Sequence, residues 1–376
     1  MKKIVFGLIF LALLFGQACR TNTGESAKQE VVTVDANATV ETKALMYNLL
    51  HYQDDAIMFG HQDDLAYGIG WWAEEFQSDV QLVSGKFPAV FGWDAGEIGQ
   101  ERNIDSVLFS DMQKWMIEVF ERGGINTLSW HLDNPVTKGD SWDKTPAVYA
   151  IIPGGELHEE FKSTLDDLAA FLEGLKTKEG IYAPVIFRPW HEHTGDWFWW
   201  GTGNCSTEEY KALCRFTVEY LRDVKGLHHL LYAYSTDIFD SEEEYLERYP
   251  GDDYIDMLGY DDYHQFKTEA SIPDAIHSLQ FIAGLAGEKN KPFALTETGL
   301  ERIPDPYWFT EKVLNSIKAD KLARKASYLL VWRNARLDHH YVPYPGHPAE
   351  EEFRKFEQDP FTWFLEDLPD FYELEE

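Results

Sequence analysis

Eight short apolar runs recur along this chain: 56–60, 89–92, 126–130, 184–187, 230–234, 255–259, 292–296 and 328–332. Most are followed by polar or aromatic residues and then by a segment with helical periodicity. Runs of this length suit strands buried on both faces, as in a parallel sheet covered by helices. Eight β-then-α repeats therefore predict an α/β fold of the (β/α)8, or TIM-barrel, type. The intervening helices are legible too. Residues 110–122 place Met112, Trp115, Met116, Val119 and Phe120 on one face, and Gly123-Gly124 stops them. Ser206 to Glu209 offers a cap for the helix carrying Tyr210, Leu213, Phe216, Val218 and Leu221. An open doubly wound sheet lacks support, because no glycine-rich phosphate turn follows the first strand, and the reading requires no cofactor.

The N-terminal residues 1–18 join Met1-Lys2-Lys3 to an apolar stretch and end in Gly16-Gln17-Ala18, the pattern of a secretory signal too short to span a membrane. Cys19, after a small residue and before polar sequence, resembles the lipidated first residue of a bacterial lipoprotein, although Gly16 departs from the aliphatic residue usual three positions earlier. The alternative is simple cleavage and a soluble exported protein. Residues 19–42 read as the lipobox cysteine and a flexible tether. The remainder, 43–376, reads as one catalytic domain. Nothing acidic follows Cys19 immediately, which favours the periplasmic face of a Gram-negative envelope over the cell surface.

Formal charge is −32, from 33 basic and 65 acidic side chains. Such a surface repels polyanions, so nucleic acid and acidic polysaccharides are poor partners and a neutral glycan is indifferent to the field. The membrane enters only through a lipid anchor. Of three cysteines, Cys205 falls in a loop and Cys214 in a helix; a disulfide and two free buried thiols are both compatible, the thiols being the expectation.

Chemistry is concentrated in 188–201, where the run 183–187 ends in Arg188-Pro189-Trp190-His191-Glu192-His193 and then in Trp197-Phe198-Trp199-Trp200. In a barrel, residues at the C-terminal ends of strands form the active site. The segment 291–299 repeats the pattern, a short apolar strand ending in Glu297 and a glycine turn. Counting strands puts Glu192 after the fourth and Glu297 at the end of the seventh, on one rim. Glycosidic hydrolysis uses two such carboxyl groups, one protonating the leaving oxygen and one attacking or activating water.

With those residues in view, the chain from about Lys43 onward resembles glycoside hydrolase family 26, whose best-known members are β-mannanases. The resemblance rests on Trp-His-Glu followed by Gly-Asp-Trp-Phe-Trp-Trp-Gly, then Gly-Tyr-Asp-Asp-Tyr, Thr-Glu-Thr-Gly and Val-Trp-Arg-Asn, in that order. It implies a retaining mechanism, with carboxyl groups roughly 5–5.5 Å apart, Glu192 as acid/base and Glu297 as nucleophile. It also implies substrate-side roles for His131, His191 and Asp261, and a hydrogen bond from Tyr263 to the nucleophile. Trp197, Phe198 and Trp332 are candidate stacking platforms for sugar faces, and Arg333 a donor to a hydroxyl distant from the cut. The substrate so implied is a neutral β-mannan or manno-oligosaccharide, cut internally or with release of mannobiose. β-1,3-Xylan and mixed-linkage glucan are the alternatives within the family.

Two rival classes are weaker. The pair His191 and His193 is two residues apart at a strand end, whereas the helical zinc motif spaces its histidines four apart, so no metal is expected. A non-catalytic glycan-binding lipoprotein would share the tether and the aromatics, but would have no need of two carboxylates on separate strand ends.

Overall fold

A computed structural model describes residues 32–374; the expected signal, Cys19 and the expected tether as far as residue 31 lie outside the described residues. Eight parallel strands, β1 (Ile57–Gln62), β2 (Val90–Asp94), β3 (Ile125–Trp130), β4 (Val185–Pro189), β5 (Leu230–Thr236), β6 (Met257–Asp262), β7 (Phe293–Thr298) and β8 (Tyr328–Val331), pair in sequence order. β8 closes on β1 through Met58↔Tyr328 to His61↔Val331. The expected (β/α)8 barrel is present, with all eight runs on its strands.

The strands are apolar on both faces because both are buried. Met58, Val90, Ile125, Ile186, Leu231, Met257, Ala294 and Tyr328 fill the barrel interior. Phe59, Phe91, Leu128, Phe187, Leu258 and Leu295 point outward into the shell of helices, which include Phe109–Glu121, His158–Glu173, Thr207–Glu219 and Ile272–Lys289. The cap read at Ser206 is a full capping box, with its side chain and that of Glu209 each satisfying the other's backbone. Cys205 and Cys214 are free thiols.

The expected tether ends early. Helix α1 (Val40–His51) begins inside its last residues, capped by Thr39, and inserts Leu45, Met46 and Leu49 into the cluster that fills the barrel interior. Before it, the Val34 amide donates to Asp256 Oδ1 at 2.8 Å and Asp35 pairs with His228 at 2.7 Å. Residues 33–39 are polar, so composition suggests a linker, yet hydrogen bonds rather than apolar burial fasten them down.

Side-chain parity places the site. Each inward apolar residue is followed two or four positions later by an inward polar or aromatic one: Val90 by Asp94, Ile186 by Arg188, Ala233 by Ser235, Met257 by Asp261, Tyr328 by Trp332. β7 breaks the pattern. Its register slips by one residue against both β6, between Tyr260 and Asp261, and β8, between Leu329 and Val331. A bulge of this kind bends the strand and re-aims a side chain. Gly259 makes room for it, since a Cβ there would stand 2.6 Å from Thr296 Cγ2.

Candidate active site

Glu192 sits just beyond β4, on backbone that L-residues seldom adopt: φ is 56° at Trp190 and 52° at Glu192. Such strain persists only where surroundings over-determine it. Here the Tyr210 hydroxyl donates to the Trp190 carbonyl at 2.8 Å, the Trp200 indole to the His191 carbonyl at 2.8 Å, and the Glu192 amide to the Ser235 carbonyl at 3.1 Å. The carboxyl lies deep in the cleft with part of its surface open, and its Oε2 accepts a 2.7 Å bond from the Trp197 indole. Burial first, then the charges of Asp261, Glu297 and Asp237, push its pKa well above the carboxylate range; the Trp197 bond opposes them.

Glu297, on the β7 bulge, is held from two sides. Arg188 Nη2 pairs with Oε1, and the Tyr263 hydroxyl donates to Oε2 at 2.9 Å. Arg188 Nη1 also reaches Asp261 Oδ2 at 2.8 Å and Ser235 Oγ at 2.9 Å. Asp261 accepts a further 2.7 Å bond from Thr296 Oγ1; burial pushes it up to about 8, against the pull of Arg188 and helped by repulsion from Glu297. One oxygen from each of Glu192, Asp261 and Glu297 lies within 4.8 Å of the others. Those three acids form a group that could in principle ligate a metal, but Arg188 already supplies the cation to two of them.

The other expected residues divide. His131 lies on the same rim, its Nδ1 2.7 Å from Asp94 Oδ2, its ring edge-on to His191 at 4.6 Å and to Trp332 at 6.1 Å. Burial opposes its protonation, but the charge and hydrogen bond of Asp94 prevail and its pKa is raised. His191 is buried against Phe198 and Trp200, and burial with the Arg188 charge holds it neutral. His193 turns away to pack against Tyr210 and Tyr234, so the two histidines do not converge on one point. Trp197 and Trp332 are half-buried and border the cleft. Phe198 does not offer a platform: it is 2 % exposed and covered by Trp200, stacked at 4.4 Å, so it backs the histidines instead.

Three residues escaped the sequence reading. Arg188, which links Glu297 to Asp261, was signalled only by its parity with Ile186. Trp142, in the long loop after β3, stacks on His131 at 5.4 Å and is 49 % exposed, which makes it a rim platform in the place expected of Phe198. Asp237, just past β5, is pushed up to about 7 chiefly by burial.

A buried acid and a donor-held carboxylate, a few ångströms apart on one barrel rim, form the constellation of a retaining glycosidase. The model of glycosyl hydrolase family 26 matches residues 34–334. The chain belongs to glycoside hydrolase family 26. A family 26 β-mannanase from Bacteroides ovatus superposes with a TM-score of 0.86 at 47% identity, covering 90% of this chain and 98% of its own. A modular endo-β-1,4-mannanase from Cellulomonas fimi superposes with a TM-score of 0.87 at 36% identity, over 92% of this chain and 80% of its own. A mannan endo-1,4-β-mannosidase of Bifidobacterium adolescentis is 36% identical over 310 residues, 78% of this chain; the match spans 30% of that longer relative. The family 26 chain described here thus carries the fold of these enzymes, with Glu192 and Glu297 at the rim positions the fold reserves for chemistry.

Proposed function

We propose that this protein hydrolyses β-1,4-mannan or manno-oligosaccharides with retention of anomeric configuration. The observation that carries the reading is the pair Glu192 and Glu297, with carboxylate oxygens within 4.8 Å of each other and with unlike surroundings. Glu192, protonated at rest, gives its proton to the glycosidic oxygen as the bond to C1 breaks. Glu297 attacks C1 from the opposite face and forms the covalent glycosyl-enzyme. The deprotonated Glu192 then takes a proton from water, whose oxygen attacks C1 and releases Glu297. Arg188 and Tyr263 hold Glu297 in the attacking rotamer. Trp197 orients the acid, and the open faces of Trp332 and Trp142 suit the apolar faces of sugar rings, with Arg333 donating to a hydroxyl. The mannanase names of the similar proteins support mannan as the substrate.

The test is product analysis on β-1,4-manno-oligosaccharides of graded length, with Glu192→Ala and Glu297→Ala beside the wild type. Hydrolysis lost in both variants supports the reading, and the product pattern separates internal cutting from mannobiose release. A wild-type enzyme inert on all of them but active on β-1,3-xylan or mixed-linkage glucan would replace the substrate.

The export signal and Cys19 support a lipoprotein anchored in a Gram-negative envelope, on its periplasmic face. Incorporation of labelled palmitate that Cys19→Ser abolishes is the expected result; label retained in that variant, or activity found only in the medium, rejects the anchor.

A further inference from the structure

Of the thirteen tryptophans, two are exposed by half, Trp72 and Trp142, at 49% each. One exposed apolar residue needs no explanation. Two indoles in the same condition, each lying flat on a buried ring of the catalytic rim, form a pattern. Trp142 covers His131. Trp72 covers Tyr67, with ring centroids 4.9 Å apart and planes 15° from parallel. In both the partner takes one face of the indole and leaves the other to solvent.

Tyr67 and Trp72 are paired across the short antiparallel hairpin of Tyr67–Gly68 and Trp71–Trp72. Directly opposed residues of such a pair project from the same face. Tyr67 settles which face it is, because its hydroxyl accepts from Arg333 Nη1 at 3.0 Å and donates to Asp63 Oδ2 at 2.5 Å. Asp63 follows β1, and Arg333 follows Trp332 at the end of β8. The face therefore turns toward the cleft, and Trp72 turns with it. Trp332 borders the cleft, Arg333 adjoins it, and Trp72 lies one ring further out than Tyr67. Exposure rises accordingly, from 2% at Tyr67 to 49% at Trp72.

The hairpin is braced. Buried Asp79 accepts from the Trp71 indole at 2.8 Å, the Ile69 amide at 2.9 Å and the Asn334 side-chain amide at 2.8 Å. Asn334 adjoins Arg333, so the hairpin and the loop after β8 are tied together. Gly68 lets the carboxylate close in, since a Cβ there would stand 2.6 Å from Asp79 Oδ2. Tyr67 cannot turn without breaking two hydrogen bonds, and Trp72 rests on it. An indole held in this way loses little freedom on meeting a ligand, so its contact area converts to affinity at small entropic cost.

We propose that Trp72 is a sugar-stacking platform, a further subsite of the cleft that takes a pyranose ring of the substrate chain beyond the hydroxyl served by Arg333. A flat apolar face bordered by the ion pair of Arg333 and Asp105, at 2.5 Å, suits a ring with a C–H face and a hydroxyl edge. A lipid or an apolar peptide would bury that pair without replacing its water.

The proposal rests on the mannan reading, and the experiment keeps the two apart. On the Glu297→Ala background, which removes turnover, calorimetric titration with mannotriose and mannohexaose reads the affinity at each length. Adding Trp72→Ala should weaken mannohexaose about three- to tenfold, the worth of one stacked ring. Mannotriose, too short to span the cut and the outer subsite together, should stay within about twofold. Trp72→Phe should restore most of the loss. Equal weakening at both lengths would make Trp72 a prop for Tyr67 and Arg333, and no weakening at either would leave it a plain surface residue; both results overturn the proposal. If neither oligosaccharide binds and the wild type cuts neither, the mannan reading falls by itself. The same length series in β-1,3-xylan or mixed-linkage glucan oligosaccharides then decides on Trp72, because the platform meets the C–H face of any β-linked pyranose.

Discussion

The two glutamates share a rim and a residue type, and little else. Glu192 stands on left-handed backbone beside an aromatic wall, accepts one indole donor and faces three acids. Glu297 stands on a bulged strand and receives a guanidinium and a phenol. Burial beside three acids raises the pKa of the first well above the carboxylate range; a guanidinium and a phenol fix the second in place. Roles therefore follow surroundings rather than side-chain chemistry, and exchanging the surroundings should exchange or abolish the roles.

The comparison breaks first at the glutamates themselves. Glu297→Ala removes the atom that attacks and should reduce kcat on the order of 10⁴-fold or more on every substrate, however good its leaving group. Glu192→Ala should cost roughly 10²–10⁴-fold on mannan. It should cost far less for formation of the covalent intermediate from an aryl mannoside, whose phenolate departs without a proton. Measuring burst and steady state on both substrate types checks this, and equal losses for the two variants on the aryl substrate would contradict the division of labour.

The next break is in what holds Glu297. Arg188→Met leaves two buried carboxylates without their cation, which should cost about 3–5 kcal/mol of stability and be read as a lower melting temperature together with lost activity. Tyr263→Phe removes a single donor to a charged acceptor, so kcat should fall roughly 10–100-fold while the melting temperature barely moves. A Tyr263→Phe enzyme that unfolds as easily as Arg188→Met would make the phenol a structural group.

Much of this was legible before any coordinates, for a physical reason. Strands buried on both faces become unbroken apolar runs, so 184–187 and 292–296 announce both the barrel and the strand ends where Glu192 and Glu297 stand. Less legible were features set by a neighbour's register. The β7 bulge leaves no mark in Leu295-Thr296-Glu297, because an extra residue in one strand is defined only by its partners. Arg188 reads as any strand-end cation until parity with Ile186 turns it inward. In Trp197-Phe198-Trp199-Trp200 the composition says that some ring meets substrate, but loop geometry decides which, and it buries Phe198 and brings Trp142 from another loop. The polar segment 33–39 reads as tether because its attachment to Asp256 and His228 is made by hydrogen bonds that composition cannot announce.

The finest test of the comparison is the position of the alkaline limb of kcat/KM, which reports loss of the proton that Glu192 must donate. The Trp197 indole donates to the charged form of Glu192, so it favours ionisation. Trp197→Phe keeps a ring and removes that donor; the pKa of Glu192 should rise, and the limb should move to higher pH. Asp237 acts in the opposite sense, because its negative charge repels the ionised Glu192. It carries that charge only above about 7, the value to which burial lifts it. Asp237→Asn should therefore move the limb to lower pH, and only where the limb lies above that value. Two neutral substitutions beside one carboxyl, shifting the same limb in opposite directions, are what a proton held by burial and local charge requires. A limb that neither moves would mean that the titrating group is not Glu192.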